Sequence, residues 1–548
     1  MKRNLILGAA ITATLLAGNA QAITVQNNFP VIEPSETRTV YLSGASAASD
    51  FLERVFKGAG VAADQICDVT KPIWKFKDNI DGKTQRAYLC TQSTTATGLS
   101  LPNDKPNLLI YKRDEGGSGY GVAPIIAEAN GDNTGAAIEF LRVNSTNCTG
   151  VPVVAAPAFT EITCSYTRAE NNVKVIPDFG ISDVDPGAFQ GENAPLKTDN
   201  VTPFTNVTAS DLLNLTITPG AAVVFGVPVT KHLYLALQGA QIAMKKIPVT
   251  AMNNDNTQPV TCILGDTTNQ ACMPSLSKQE VATLIKGDWA NWDKLKVVVG
   301  GVSTGLAEWA RINQNADAPI SAVTHICRRE NGSGTQAQLN NFALNYPCAA
   351  GSKQTFPASG NDGKTESQNV ALIHENSTSG NMTNCLKDLD NGNNLAPGYQ
   401  NDFVGVRWAL GIQSLEKKDA NFEFVKINGV APTLANVANG TYLDWFENTF
   451  QYNNTHAKFA TDSGLKQTIE AIIKAASVPA VMGALNTGFT HNFGNGAYLA
   501  NPKANPPVAT GIFNLSLPIN PYSHTPSGSV SLDNCRAPVA YDKSEVGL

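Results

Sequence analysis

Charge is scarce in this chain. Only 16% of its 548 residues are Asp, Glu, Lys or Arg, against a usual share of about 25%. The 40 basic residues are outnumbered by 46 acidic ones, a formal net charge of −6, so no global basic field exists for nucleic acid. No C-x-x-C pair and no H-x-x-x-H spacing occurs, which removes the usual zinc frameworks. Beyond residue 22 no stretch offers the about 20 apolar residues that a membrane span needs. A nucleic-acid binder and a membrane channel are set aside on these grounds, and no cofactor is implied. The hydrophobic share is an ordinary 42%, enough to bury a real core. At about 150 residues per domain the length allows three or four domains, or one large two-lobed body.

Lys2 and Arg3 precede an apolar run over residues 5–18, and Ala20-Gln21-Ala22 supplies small residues for cleavage before Ile23. Residues 1–22 therefore read as a secretory signal peptide, too short in its apolar part for a membrane anchor. Without Lys2 and Arg3, 38 basic residues face 46 acidic ones, a mature net charge of −8. No Cys follows the cleavage point, so no lipid anchor is indicated there. The expected location is periplasmic or extracellular. Cysteine usage agrees: Cys67, Cys90, Cys148, Cys164, Cys262, Cys272, Cys327, Cys348, Cys385 and Cys535 all follow residue 22. An even count in an exported chain reads as disulfides, each stabilising by roughly 2–4 kcal/mol. Sequence does not fix the connectivity. The expected pairs are Cys67–Cys90, Cys148–Cys164 and Cys262–Cys272, with Cys327–Cys348 next.

From Thr39 onward, short apolar runs alternate with amphipathic helical stretches, an α/β pattern. Tyr41-Leu42 ends a strand, Ser43-Gly44-Ala45-Ser46 turns, and residues 47–57 are predicted helical. Ser277 and Glu280 form a capping box for a helix reaching residue 286, with Val281, Leu284 and Ile285 as its buried stripe. Residues 465–476 read as another amphipathic helix. The Asn/Thr/Ser/Gly tracts at 190–210 and 376–401 read as surface insertions linked by disulfides.

One local echo stands out. Ile110-Tyr111-Lys112-Arg113-Asp114-Glu115-Gly116-Gly117-Ser118-Gly119 is matched by His325-Ile326-Cys327-Arg328-Arg329-Glu330-Asn331-Gly332-Ser333-Gly334. Each is an apolar strand end, a basic pair, an acid and a Gly-Ser-Gly turn, which suggests two half-sites from two related lobes. A small-residue turn between strand and helix leaves N–H groups pointing outward, with the helix dipole behind them. Ser333-Gly334-Thr335 fits that role. Arg329, four residues upstream of Ser333, adds a planar and permanently charged fork for an oxyanion. Asp183, ending Asp178-Phe179-Gly180-Ile181-Ser182-Asp183, is informative for the opposite reason. A carboxylate repels a fully ionised ligand but accepts a hydrogen bond from a protonated one, so it favours hydrogen phosphate over sulfate.

These motifs, in this order, resemble the periplasmic phosphate-binding proteins of ABC transporters, within the type 2 periplasmic-binding superfamily. The resemblance is carried by Leu42-Ser43-Gly44-Ala45-Ser46-Ala47, Gly117-Ser118-Gly119-Tyr120-Gly121, the segment from Asp178 to Asp183, and Val224-Phe225-Gly226-Val227-Pro228-Val229. Ile285-Lys286-Gly287-Asp288-Trp289-Ala290-Asn291-Trp292, the stretch from Arg328 to Thr335, and Phe403-Val404-Gly405-Val406-Arg407 complete it over residues 39–410. The resemblance implies a two-lobe Venus-flytrap α/β fold with mixed sheets. Lobe I would comprise residues 23–224 with 440–548, and lobe II residues 225–439. It further implies a monomer that captures phosphate, or a similar small oxyanion, and delivers it to an ABC permease in the inner membrane. By position, Arg329 would hold the anion, Ser333, Gly334 and Thr335 would donate from a helix terminus, Ser118 from the other lobe, and Asp183 would accept the ligand proton. Ala48-Ser49 stand where the family has a Thr-Phe pair, so Ser46 or Ser49 would take that donor place. Asn331 stands where the family's acid pairs with the arginine, which leaves Arg329 less neutralised.

Two other readings of the residues stay open. Gly301-Val302-Ser303-Thr304-Gly305 matches G-x-S-x-G after the apolar Val297-Val298-Val299, the context of a serine hydrolase using Ser303. The long Asn/Thr tracts and cysteines also suit a binding-protein fold recruited as an extracellular structural or adhesive component.

Overall fold

The β-branched and aromatic residues of Thr37-Arg38-Thr39-Val40-Tyr41-Leu42 favour an extended chain, and the strand Thr37–Gly44 that they form is central to the larger sheet. The computed structural model describes residues 23–47, 49–80, 85–166, 172–197, 203–349, 366–393, 404–502, 513–525 and 532–541. The secretory signal read over residues 1–22 lies outside them. Thr37–Gly44 is parallel to Asn107–Arg113 on one side and to Phe179–Ser182 on the other. Asn107–Arg113 and Phe179–Ser182 are buried along their whole length, as parallel strands covered on both faces are. Beyond them lie Gln85–Thr91, Ile73–Asp78 and Phe159–Cys164 on one flank, and Trp445–Asn453 and Leu215–Gly226 on the other.

A second, five-stranded sheet has the order Leu372–Asn376, His325–Arg329, Ala409–Leu410, Pro228–Thr230, Phe422–Phe424. His325–Arg329 is parallel to both its neighbours, and the last two strands are antiparallel to theirs. The fold is thus mixed α/β with two mixed sheets. The chain passes directly from Leu215–Gly226 to Pro228–Thr230, then returns from Ala409–Leu410 to Gln413–Ser414 at the edge of the larger sheet. It crosses again before Phe422–Phe424 and before Trp445–Asn453. A single buried cluster joins both sheets, with Val40, Leu42 and Phe179 from the larger, Val229, Ile326 and Leu410 from the smaller, and Val223, Val224, Phe225 and Val227 between them.

Helix signals were read from local sequence and are local in the structure. Ser277 caps Lys278–Ile285, its Oγ accepting from Glu280 N–H at 3.1 Å while Glu280 Oε2 accepts from Ser277 N–H at 2.7 Å. Val281, Leu284 and Ile285 are buried. Leu465–Ala475 buries Ile469, Ile472 and Ile473. No single described helix is long and apolar enough to cross a membrane.

Four expectations need correction. The tract at 376–401 is no surface insertion in its described part: Ser379–Asn391 is a helix capped by Thr378 that buries Met382, Cys385, Leu386 and Leu389. Those four residues sit at helical spacing and form a narrow apolar stripe among polar neighbours. Residues 394–401 lie outside the described residues. The tract at 190–210 departs only in part: its described residues are mostly exposed, as expected, but Asn193, Ala194, Pro195 and Val207 are buried. Asn193 is buried, its backbone carbonyl accepting from Gly332 N–H at 3.2 Å and its Oδ1 from Asn340 Nδ2 at 2.8 Å.

The third correction concerns disulfides. Cys67–Cys90, Cys148–Cys164 and Cys262–Cys272 are as expected, but Cys327 pairs with Cys385 and Cys348 with Cys535. The helix Gly334–Leu344, about 16 Å long at 1.5 Å per residue, carries Cys348 away from Cys327. Bridged Cα atoms must lie within ~7 Å, and Cys385 on the helix above the strand does, at 6.1 Å. Next to Cys535, Asn534 is locked to Asp185: Asp185 N–H donates to Asn534 Oδ1 at 2.6 Å, and Asn534 N–H to Asp185 Oδ2 at 2.9 Å.

The fourth is Ser303. It lies within the strand Val302–Gly305, opposite Val298 of Lys296–Val299 in an antiparallel hairpin, and is exposed. A nucleophile elbow needs its serine at the strand-to-helix turn itself. Here that position belongs to Gly305, which precedes the helix Leu306–Asn313, so the hydrolase reading loses its support.

Candidate anion-binding site

Three parallel strands of the larger sheet end side by side at Gly44, Arg113 and Ser182; turns containing small residues follow the first two, and Asp183 follows the third. Gly44 has φ 115°, and a Cβ there would overlap the Ile181 carbonyl oxygen, so only glycine lets the first turn lie against the neighbouring strand. Lys112, fully buried, stitches this turn from below. Its Nζ donates to Gly44 O at 2.6 Å and Ala45 O at 3.2 Å and pairs with the buried Asp114. Burial pushes the Lys112 pKa down, against the pull of Asp114.

In the smaller sheet His325–Arg329 leads through Gly332, at φ 86°, into the helix Gly334–Leu344, with Ser333 as N-cap accepting from Gln336 N–H at 3.3 Å. Beside it, Leu372–Asn376 leads into Ser379–Asn391, capped by Thr378. Two helices therefore start next to each other at the carboxyl ends of parallel strands. The first N–H groups of a helix lack intrahelical acceptors and carry the positive end of its dipole, so such places receive anions.

The two echoed turns meet. Gly119 N–H donates to Gly332 O at 2.7 Å. A Cβ on Gly117 would stand 3.0 Å from Ser333 Cα, and one on Gly334 would overlap the Ser118 side chain. Asp183 N–H donates to Ser118 Oγ at 3.1 Å, and Thr335 Oγ1 to Asp183 Oδ2 at 3.4 Å. Ser46 reaches the same place from the first turn, its Oγ 3.3 Å from Arg329 Nη1 and 3.4 Å from Ser379 Oγ. Ser46, Ser118, Asp183, Arg329, Ser333, Gly334 and Thr335 are all buried here. Ser49 begins the helix Ser49–Phe56, but its side chain lies outside the described residues.

Arg329 is fully buried without a carboxylate partner among the described residues. Its Nε donates to Asn376 O at 3.0 Å, Nη2 to Ser377 O at 2.7 Å, and Nη1 to Ser379 Oγ at 3.2 Å and Ser46 Oγ at 3.3 Å. Every one of these acceptors is neutral. Burial lowers the pKa of the guanidinium, while Glu330, Asp183 and Asp114 support its charge from further away. Burial likewise pushes Asp183 up to about 6, against the pull of Arg329 and Lys112. Asp183 Oδ1 has no hydrogen-bond partner among the described residues. The contacts at 3.3–3.4 Å between Ser46, Ser379, Arg329, Thr335 and Asp183 exceed the ~2.5–3.2 Å of good hydrogen bonds. These donors are gathered, yet they satisfy one another poorly.

Sequence reasoning missed Ser379 and the Asn376 and Ser377 carbonyls, because their tract was read as an insertion. The signal was Ser377-Thr378-Ser379-Gly380, separated by three residues from the apolar Ala371-Leu372-Ile373, a second small-residue turn out of a strand. Lys112 and Asp114 were missed as an internal pair. Aligned on the Gly-Ser-Gly turns, Asp114 stands where the other stretch has Arg329, so the echo inverts charge at that point.

No family model matches the chain, and no curated protein matches it. Comparison with solved structures finds loose likenesses. A putative phosphate ABC transporter substrate-binding protein from Clostridium perfringens, solved with bound phosphate, is 14% identical at a TM-score of 0.33, over 79% of this chain and 93% of that one. PstS from Borrelia burgdorferi is 10% identical at a TM-score of 0.29, over 79% and 92%. An ABC-type phosphate transport receptor from Vibrio cholerae is 14% identical at a TM-score of 0.24, over 54% and 78%.

Proposed function

We propose that this chain is an exported solute-binding protein that captures an oxyanion, inorganic phosphate, between two lobes for uptake by an ABC transporter. Apart from its edge pair Gln413–Ser414, the larger sheet would belong to a lobe of residues 23–224 with 440–548, the smaller to residues 225–439. The observation that carries the reading is the presence in one place of a buried Arg329 that no described carboxylate contacts and a buried Asp183 whose Oδ1 has no hydrogen-bond partner among the described residues. A buried cation without a counter-ion and a buried carboxyl oxygen without a donor are both costly. Hydrogen phosphate relieves both at once, since its oxyanion accepts from Arg329 while its P–OH donates to Asp183. Ser46, Ser118, Ser379 and the first N–H groups of Gly334–Leu344 supply the remaining donors. Sulfate lacks the proton and would leave Asp183 facing a like charge. The lobes then close over the ligand by a hinge in the crossing segments, and the closed form is what a permease recognises. The five disulfides suit an oxidising compartment.

Calorimetric titration of the mature, ligand-stripped protein with phosphate and then sulfate tests this. The expected result is tight phosphate binding, sulfate rejection, and at least a roughly hundredfold loss in Arg329→Ala, since charge-assisted hydrogen bonds are worth ~1.5–3 kcal/mol each. Heat from neither anion would sink the phosphate reading.

A further inference from the structure

A second pocket lies among elements that contribute nothing to the anion site. The end of the helix Lys231–Ala243, the paired strands Ser275–Leu276 and Lys426–Ile427, the strand Lys296–Val299 and the start of the helix Leu306–Asn313 line a pocket of about 370 Å³, within the ~300–1,000 Å³ of small-molecule sites. Its floor is apolar: Leu237, Ile247, Leu276 and Leu306 are each buried. Its rim carries three lysines, Lys246, Lys296 and Lys426. None of them forms an ion pair among the described residues. Lys426 is half-buried, and its hydrogen bond to Ala271 O is long at 3.4 Å. Burial alone pushes its pKa down, with no carboxylate opposing. The carboxylate that lines the pocket, Glu280, has Oε2 committed to Ser277 N–H at 2.7 Å and Ser277 Oγ at 3.0 Å. The pocket is therefore a local concentration of positive charge over hydrocarbon, in a chain whose net charge is −6. A partly desolvated ammonium without a counter-ion is relieved by an incoming anion, and the floor is relieved by an apolar body.

We propose that this pocket binds a small amphipathic carboxylate, its head among Lys246, Lys296 and Lys426 and its aliphatic body on the leucine-lined floor. At ~30 Å³ per water-sized group the space holds about a dozen non-hydrogen atoms, the size of a medium-chain acid. Octanoate is the probe. Titrating the full mature protein should give saturable 1:1 binding, weakened about tenfold or more when octanol replaces octanoate or when Lys426→Met removes the ammonium. Acetate, which has no body, should not bind, and saturating phosphate should not compete. In the unmodified protein, octanoate should also slow trinitrophenylation of Lys426, read by peptide mass, which keeps the test independent of the variant's folding. No saturable heat, equal affinity for octanoate and octanol, or an unchanged labelling rate at Lys426 would each overturn the proposal.

Discussion

Asp183→Asn should make the ligand-free protein more stable, and only above a definite pH. The carboxyl is buried and its pKa is raised from 3.8 to about 6 by burial, while the amide is nearly isosteric and uncharged. At pH 4 the native carboxyl is protonated and the unfolded one a little under half so, and the two proteins should differ by only about 0.5 kcal/mol. As pH rises toward 6 the unfolded chain loses this proton while the native state still holds it. The native state then binds more protons than the unfolded state, so stability falls with pH. A shift of about two units at 1.36 kcal/mol per unit gives a penalty of about 3 kcal/mol, complete above pH ~7. Denaturant unfolding in phosphate-free buffer, with disulfides intact, at pH 4, 5, 6 and 7.5 measures it. The gap should open from about 0.5 kcal/mol at pH 4 to about 3 kcal/mol at pH 7.5 in favour of the variant, and added phosphate should stabilise the wild type more than the variant. An equal gap at pH 4 and pH 7.5 would mean that packing, not charge, is responsible. A wild type more stable than the variant at pH 7.5 would refute the argument.

Gly334→Ala places a Cβ into Ser118, so the two turns should separate and phosphate affinity fall at least about tenfold by calorimetry, since overpacking costs ~1–3 kcal/mol. His456 bridges Glu128 and Asp178 at 2.7 and 2.9 Å. Burial opposes its charge, but the hydrogen bonds to Asp178 and Glu128 raise its pKa to about 9. Its stabilisation is full below pH 6.5 and fades as pH rises through 9, so the wild type should lose its advantage over His456→Gln, about 2 kcal/mol, across that window. Non-reducing peptide mapping should recover Cys327–Cys385 and Cys348–Cys535, and replacing Cys327 and Cys385 by alanine should cost about 4 kcal/mol on a chain-entropy estimate for a 58-residue loop.

What could be read from sequence was what depends on near neighbours. The turn after Leu42, the capping box at Ser277 and Glu280, and the helix start at Ser333 each use residues within four positions of one another. The echo between residues 110–119 and 325–334 also brought Ser118 beside Gly334, because both turns follow strands of the same kind. What was hidden depends on pairing across the chain. Ser379 is remote in sequence from Arg329, and the parallel placement of Leu372–Asn376 beside His325–Arg329 brings its hydroxyl to the guanidinium. Cys327 faces Cys385 for the same reason. Polar composition misled at 376–401, since four apolar residues at helical spacing are enough to seat a helix whose other positions are polar, charged or glycine.

The bond between Cys348 and Cys535 has a mechanical consequence. Cys535 adjoins Asn534, which is locked to Asp185 two residues beyond Asp183, while Cys348 follows the helix that begins with Gly334 and Thr335. One covalent link thus tethers the segment carrying the carboxylate to the helix that faces it. In the proposed hinge motion, travel at this edge is limited by the length of a short leash, and the two surfaces would re-engage as neighbours on a string rather than as freely swinging bodies. Cutting the leash by selective reduction would widen the swing and lower the effective concentration at which the surfaces meet again, so recapture of the closed state should slow while the donors themselves are untouched.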